Sequence, residues 1–113
     1  MKYVIGNWKS NQNLTESLIW LDGLQSIKPH FSPDASVILC LPFTDIAGFN
    51  HKLSDLEMPI VTGAQNVSHL APGKHTGEIT ANMLAEFVSF CIVGHSERRR
   101  EFAETSEMVA EKA

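Results

Sequence analysis

Short apolar runs alternate along this chain with stretches whose apolar residues recur every three or four positions. Tyr3–Ile5 leads into Gly6-Asn7-Trp8-Lys9, a strand whose polar residues gather at its C-terminal end. Leu14, Leu18, Leu21, Leu24 and Ile27 then follow at helical spacing, which predicts a helix from Asn13 to about Lys28. Asn13 with Glu16 three residues on reads as a capping box, and Pro29 as the stop. Ser36–Leu41 is a continuous apolar run, suited to a strand buried on both faces. Thr44 is expected to cap a second helix through about Leu53, and Pro59–Ala64 to form a third strand. A polar loop follows from Gln65 to Glu78. Thr80 is expected to cap a third helix through Glu86, Val88–Val93 to be the fourth strand, and Ser96 or Thr105 to cap what remains.

Strands alternating with helices at this spacing imply βαβ units on a parallel sheet, with right-handed crossovers. The four β/α units read as one body, residues 1–113, without a linker or repeat. A small doubly wound sheet would normally place a glycine-rich phosphate turn after its first strand. None is present here. Polar residues at strand ends favour a parallel (β/α) barrel, where chemistry collects at the C-terminal face. The final helical stretch, Met108–Ala113, has no glycine cap or proline after it, an ending better suited to a chain that continues.

Composition narrows the class. Nine basic against thirteen acidic residues give a net charge of −4, which argues against a nucleic-acid surface. No run approaches the roughly 18 apolar residues of a membrane span. The N-terminal residues lack the pattern of a secretory leader, so a cytoplasmic location is expected. Cys40 and Cys91 each lie in an apolar run and are read as buried structural thiols. His30, His51 and His69 show no metal-ligand spacing, and no metal site is expected. Arg98-Arg99-Arg100 is offset by Glu97, Glu101 and Glu104, which points to ion pairing.

Two clusters carry candidate chemistry. In Gly6-Asn7-Trp8-Lys9-Ser10-Asn11, a lysine at a strand end can point its ammonium at an anionic substrate. Asn7, two positions earlier, is expected on the same side of the strand, where it can orient that lysine. A lysine that merely reaches for water fits those residues equally well. In Cys91-Ile92-Val93-Gly94-His95-Ser96-Glu97-Arg98-Arg99, the histidine leaves the fourth strand as the chain turns helical. First-turn N–H groups can donate to one ring nitrogen, and their partial positive charge favours neutral imidazole. A neutral ring that accepts at one nitrogen donates at the other, which suits it to polarising a carbonyl.

Together these motifs resemble the two first-half signatures of the triosephosphate isomerase family. Pro42-Phe43-Thr44, Gly63-Ala64-Gln65-Asn66 and Thr76-Gly77-Glu78 match that family in the same order, so the resemblance runs from Tyr3 to the end. It implies the first four β/α units of a (β/α)8 barrel of the TIM type. It also implies interconversion of dihydroxyacetone phosphate and glyceraldehyde 3-phosphate through an enediolate, without cofactor or metal. By this resemblance Lys9 and Asn7 bind substrate, and His95 shuttles protons between its two oxygens. A neutral histidine in that role is already established for the family. Glu97 would pair near Lys9, and Ser96 would contact the general base. The Gln65–Glu78 loop would enter a second, identical subunit, with Thr76 supporting that subunit's Asn7 and Lys9 region, Gly77 at the interface and Glu78 pairing with Arg98 across it. Gly73-Lys74-His75 departs from the family's usual loop tip and alters packing there.

A complete barrel of this kind needs about 250 residues. The family's base glutamate, its lid and most of its phosphate-binding N–H groups have no counterpart motif here. Made alone, this chain is expected to be poorly stable, because four strands leave two open edges and a bare inner face. It is also expected to lack appreciable turnover. The competing expectation is a non-catalytic half-barrel, an assembly or binding module completed by another chain.

Overall fold

The computed structural model describes residues 1–113. Its elements alternate: β1 (Lys2–Asn7), α1 (Leu14–Leu24), β2 (Ala35–Leu41), α2 (Phe43–Leu56), β3 (Ile60–Ala64), α3 (Ala81–Ala85), β4 (Phe90–Cys91), α4 (Ser96–Glu101) and α5 (Ser106–Lys112). The strands form one parallel sheet in chain order, β1-β2-β3-β4. That is half of a (β/α)8 barrel, with neither β1 nor β4 paired on its outer side. No helix is long and apolar enough to cross a membrane.

Strand alternation divides the apolar residues between two faces. Leu39 and Leu41 of β2 point outward to the helices, joining Leu21 of α1 and Ile46, Phe49 and Leu53 of α2 in the core. Ile38 and Cys40 point the other way and are also buried, as the unbroken run in β2 predicts. The flanking strands are less covered. Tyr3 and Ile5 of β1, Val61 of β3 and Phe90 of β4 share the inner face by register and are exposed. Tyr3 and Phe90 meet edge to face there, with ring centroids 6.4 Å apart. The radius of gyration, 15.1 Å, exceeds the about 13 Å of a compact domain near this size, as an open half-barrel requires.

Several expected boundaries shift, each for a local reason. α1 stops at Leu24 and the chain continues as a 3₁₀ turn over Gln25–His30, because Pro29 removes a donor and disfavours helical backbone before it. Asn13 caps α1 by accepting the Glu16 N–H at 2.9 Å. Thr44 does not cap α2: the cap position is Pro42, and the Thr44 hydroxyl donates to Asp45 within the first turn. α2 then runs on to Leu56 and ends at Glu57 in left-handed backbone. Thr80 and Thr105 do cap their helices, accepting the Met83 and Met108 N–H groups.

β4 is shorter than Val88–Val93. As an edge strand it is laddered only by β3, and β3 ends at Ala64, so pairing stops at Cys91. The same edge position exposes Cys91, contrary to the buried thiol expected, while Cys40 in central β2 is buried.

Candidate active site

The four strands end around a polar cleft of about 580 Å³, lined by residues that include Asn7, Lys9, Gln65, His95, Glu97 and Arg98. The cleft therefore lies at the C-terminal ends of the strands, where a parallel barrel carries its chemistry.

The first wall is the turn after β1. Asn7 closes the strand and its Oδ1 accepts the Lys9 N–H at 2.9 Å. Lys9 has left the strand by then, with φ of 56°. Strand alternation is therefore not what aims it, contrary to the expectation. A side-chain hydrogen bond holds the residue in left-handed backbone, a conformation that costs a non-glycine residue about 1–2 kcal/mol. Asn11 braces the other end, its Nδ2 donating to the Trp8 carbonyl at 3.1 Å. Between these asparagines Trp8 points toward the helices. Its ring packs edge to face on Trp20 and on Phe49, at 5.1 and 5.5 Å. The Trp8 N–H and the Gln65 Nε2 both donate to the Cys40 carbonyl, fastening the turn to β2 and β3. Trp8 and Gln65 stood within recognised motifs, but nothing in their spacing predicted these anchoring roles.

The second wall is the turn from β4 into α4. His95, rather than Ser96, is the cap of α4: its Nδ1 accepts the Glu97 N–H at 3.1 Å. An accepting Nδ1 carries no proton, so the neutral ring presents Nε2–H. Ser96 is the first residue of the helix and is exposed. Glu97 turns back across the cleft, and the Lys9 Nζ donates to its Oε1. That ammonium holds the Glu97 carboxyl below the usual carboxylate range. Lys9, His95 and Glu97 thus converge from the two ends of the sheet, 88 residues apart in the chain for Lys9 and Glu97.

Behind the second wall lies a buried ionic cluster that spacing alone did not single out. The side chain of Glu104 is 1% exposed. Its Oε2 accepts from Arg98 Nε and Lys112 Nζ, each at 2.8 Å, and its Oε1 accepts the Gly94 N–H at 3.2 Å. Lys112, also buried, reaches Asn66 Oδ1 at 2.7 Å. Burial alone would raise the Glu104 carboxyl. Hydrogen bonds from Lys112 and Arg98, then the Lys112 charge and the Gly94 N–H, outweigh it and hold the group at about 2.

The loop residues lie apart from this cleft. Thr76, Gly77 and Glu78 are exposed, and Gly77 adopts φ of 91°. Within the chain Glu78 Oε1 accepts from Ser68 Oγ at 3.3 Å, while Arg98 is engaged by Glu104 and lies 4.7 Å over the Phe102 ring.

Comparison with known proteins supplies a family. The family model described as triosephosphate isomerase matches residues 2–113. A triosephosphate isomerase of Synechocystis sp. is 39% identical over 105 residues, covering 92% of this chain and 43% of that protein. One from Herminiimonas arsenicoxydans is 43% identical over 113 residues, covering 98% of this chain and 44% of that protein. The crystal structure of triosephosphate isomerase from Bartonella henselae superposes with a TM-score of 0.77 at 32% identity, covering 98% of this chain and 44% of that one. The chain spans less than half the length of the relatives it matches.

Proposed function

The chain belongs to the triosephosphate isomerase family, and from that premise we propose that its cleft is the carbonyl-polarising half of a site that interconverts dihydroxyacetone phosphate and glyceraldehyde 3-phosphate. The observation that carries this reading is the His95 Nδ1 that accepts the Glu97 N–H, which leaves Nε2–H as the donor of a neutral ring that lines the cleft.

The chemistry follows from what an enediolate needs. Removing a proton from the carbon beside a carbonyl builds negative charge on the carbonyl oxygen. A donor already fixed in place stabilises that charge without reorganisation. His95 Nε2–H supplies this donor and can pass a proton between the two neighbouring oxygens. Lys9 adds a positive charge for the anionic substrate, and its Glu97 partner keeps the ammonium near the cleft until substrate displaces it. Asn7 holds the Lys9 backbone. The carbon-bound proton needs a base of its own. By the family resemblance that base is a glutamate in the part of the relatives this chain does not span. The 113-residue chain by itself therefore binds and polarises without appreciable turnover.

The same resemblance supports a homodimer in the cytoplasm, acting without cofactor or metal. Thr76, Gly77 and Glu78 would then enter the second subunit, with Glu78 near that subunit's Arg98. Ser96 would meet the base in the open site.

The test is a coupled isomerase assay on the chain as its gene encodes it. His95→Gln should lower kcat by about 10²-fold or more, the usual loss when one preorganised donor goes. Lys9→Met should raise KM as well as lower kcat. Undiminished turnover in the His95 variant would refute the assignment. A second reading, a non-catalytic half-barrel completed by another chain, draws on the exposed inner face of Tyr3, Ile5, Val61 and Phe90. A stable gene product of this length, without turnover, would favour it.

A further inference from the structure

We propose that Glu104 and Arg99 are positioning residues for His95, locking the glycine hinge on which the imidazole is carried. The proposal rests on the reading of His95 given above, and it concerns what holds that ring still.

Gly94 precedes His95 and adopts φ of 65°. Glycine is the residue with the least intrinsic restraint on its two backbone angles. A histidine hung on such a residue would swing unless the peptide planes on both sides were held. Both are held here, by side chains from outside the hinge. The N–H of Gly94 donates to Glu104 Oε1 at 3.2 Å, which fixes the plane before it. The carbonyl of Gly94 accepts from Arg99 Nε at 3.0 Å, which fixes the plane after it. With both planes anchored, φ and ψ of Gly94 are set together.

Each clamp is itself tied down. Glu104 is gripped by Arg98 and Lys112, so its free oxygen cannot rotate away from Gly94. Arg99 spans from the Gly94 carbonyl to Ser106 Oγ at 3.2 Å, at the first residue of α5. Downstream, the His95 carbonyl accepts the Arg98 and Arg99 N–H groups at 2.9 and 3.1 Å. A side chain at residue 94 would be strained at that φ, and its Cβ would crowd both Val109 methyls at 3.0 Å, so glycine and its clamp go together. The backbone around His95 is thus specified from α4, α5 and the segment between them. The Glu97 N–H can find Nδ1 only while that backbone keeps its course.

The experiment is nitrogen NMR of the 15N-histidine-labelled chain, as its gene encodes it, with kinetics beside it. Glu104→Gln keeps the shape but weakens the acceptor. It should move the His95 Nδ1 and Nε2 resonances and lower kcat about tenfold or more, with KM within about twofold, as a small misplacement of a reacting group does. Arg99→Met changes an exposed side chain, so the fold survives. It should move the same resonances in the same direction by less. Lys112→Met removes one of the two grips on Glu104 Oε2 and leaves Arg98 on that oxygen; it should lower the denaturation midpoint and move the His95 resonances by less than Glu104→Gln does. Unmoved resonances in both Glu104→Gln and Arg99→Met would overturn the proposal. So would a Lys112→Met chain whose resonances move as far as those of Glu104→Gln. Should the Glu104 variant fail to fold, the Arg99 variant alone decides. Because the resonances need no turnover, shifted signals in a chain without isomerase activity would sustain the clamp and sink the isomerase reading.

Discussion

The turn that carries Lys9 and the turn that carries His95 do comparable work at opposite ends of one sheet, and they are stabilised by different physics. The Lys9 turn is held by neutral contacts: Asn7 takes the Lys9 N–H, Asn11 reaches the Trp8 carbonyl, and the indole packs on Trp20 and Phe49. The His95 turn depends on a buried carboxylate from beyond the end of α4, held in turn by Lys112 and Arg98. Neutral hydrogen bonds and aromatic packing weaken by degrees when one member is lost. A buried charge cluster does not, because removing one ion leaves the others desolvated and unpaired. The two walls of the cleft should therefore fail differently.

The sharpest break is Glu104→Ala, which strands Lys112 and Arg98. It should destabilise the chain by about 3–5 kcal/mol in urea or thermal unfolding, as expected when one partner of a buried ion cluster goes. A loss under about 1 kcal/mol, the value of an ordinary surface pair, would show that the cluster is solvated.

Acid should open the same wall first. The folded Glu104 carboxyl sits at about 2 against an ordinary 4.5. A carboxyl depressed in the folded state contributes stability that is full above its unfolded value. That contribution, on the order of 3 kcal/mol, is lost as pH falls from about 4.5 toward 2. Urea midpoints recorded across that window should fall steeply in the natural chain and more gently in Glu104→Gln. Parallel slopes would remove Glu104 as the cause.

Trp8→Ala probes the other wall. Trp8 is only partly buried, so the loss should be about 2 kcal/mol, below the cost of deleting a fully buried tryptophan. Its effect should not vary with pH in the acid window, which separates it from the Glu104 variants.

The smallest change is Lys9→Gly. Glycine accepts left-handed backbone that lysine adopts at a cost, and the exposed Glu97 pair contributes little to stability. Stability should hold or rise by up to about 1 kcal/mol, while substrate binding is lost. A clear destabilisation would mean that the Lys9–Glu97 bridge, rather than Asn7 and Trp8, holds the two walls together.

Much of this was readable along the chain. The order of the elements followed from periodicity, because a strand repeats every two residues and a helix every 3.6. Asn13 and Thr80 acted as caps because capping involves a residue and its neighbour three positions on. The limits were equally physical. Thr44 looked like a cap yet sits inside α2, since Pro42 already supplies the turn into the helix. The extent of β4 depended on where β3 ended, which no pattern within β4 records.

By itself the sequence determined four β/α units, a lysine and a histidine in the turns that follow the first and fourth strands, and membership of a family. These are local patterns, written in neighbours and short periods. Only the tertiary structure decided that Lys9 leaves its strand in left-handed backbone, and that Glu97 crosses to meet it from 88 residues away. It alone gathered Asn66, Gly94 and the partly exposed Arg98 around the buried Glu104–Lys112 pair behind His95. Charges of opposite sign are common along any chain, and spacing says nothing of which will be taken out of water together. That choice is made by packing, and here packing determines how His95 is held.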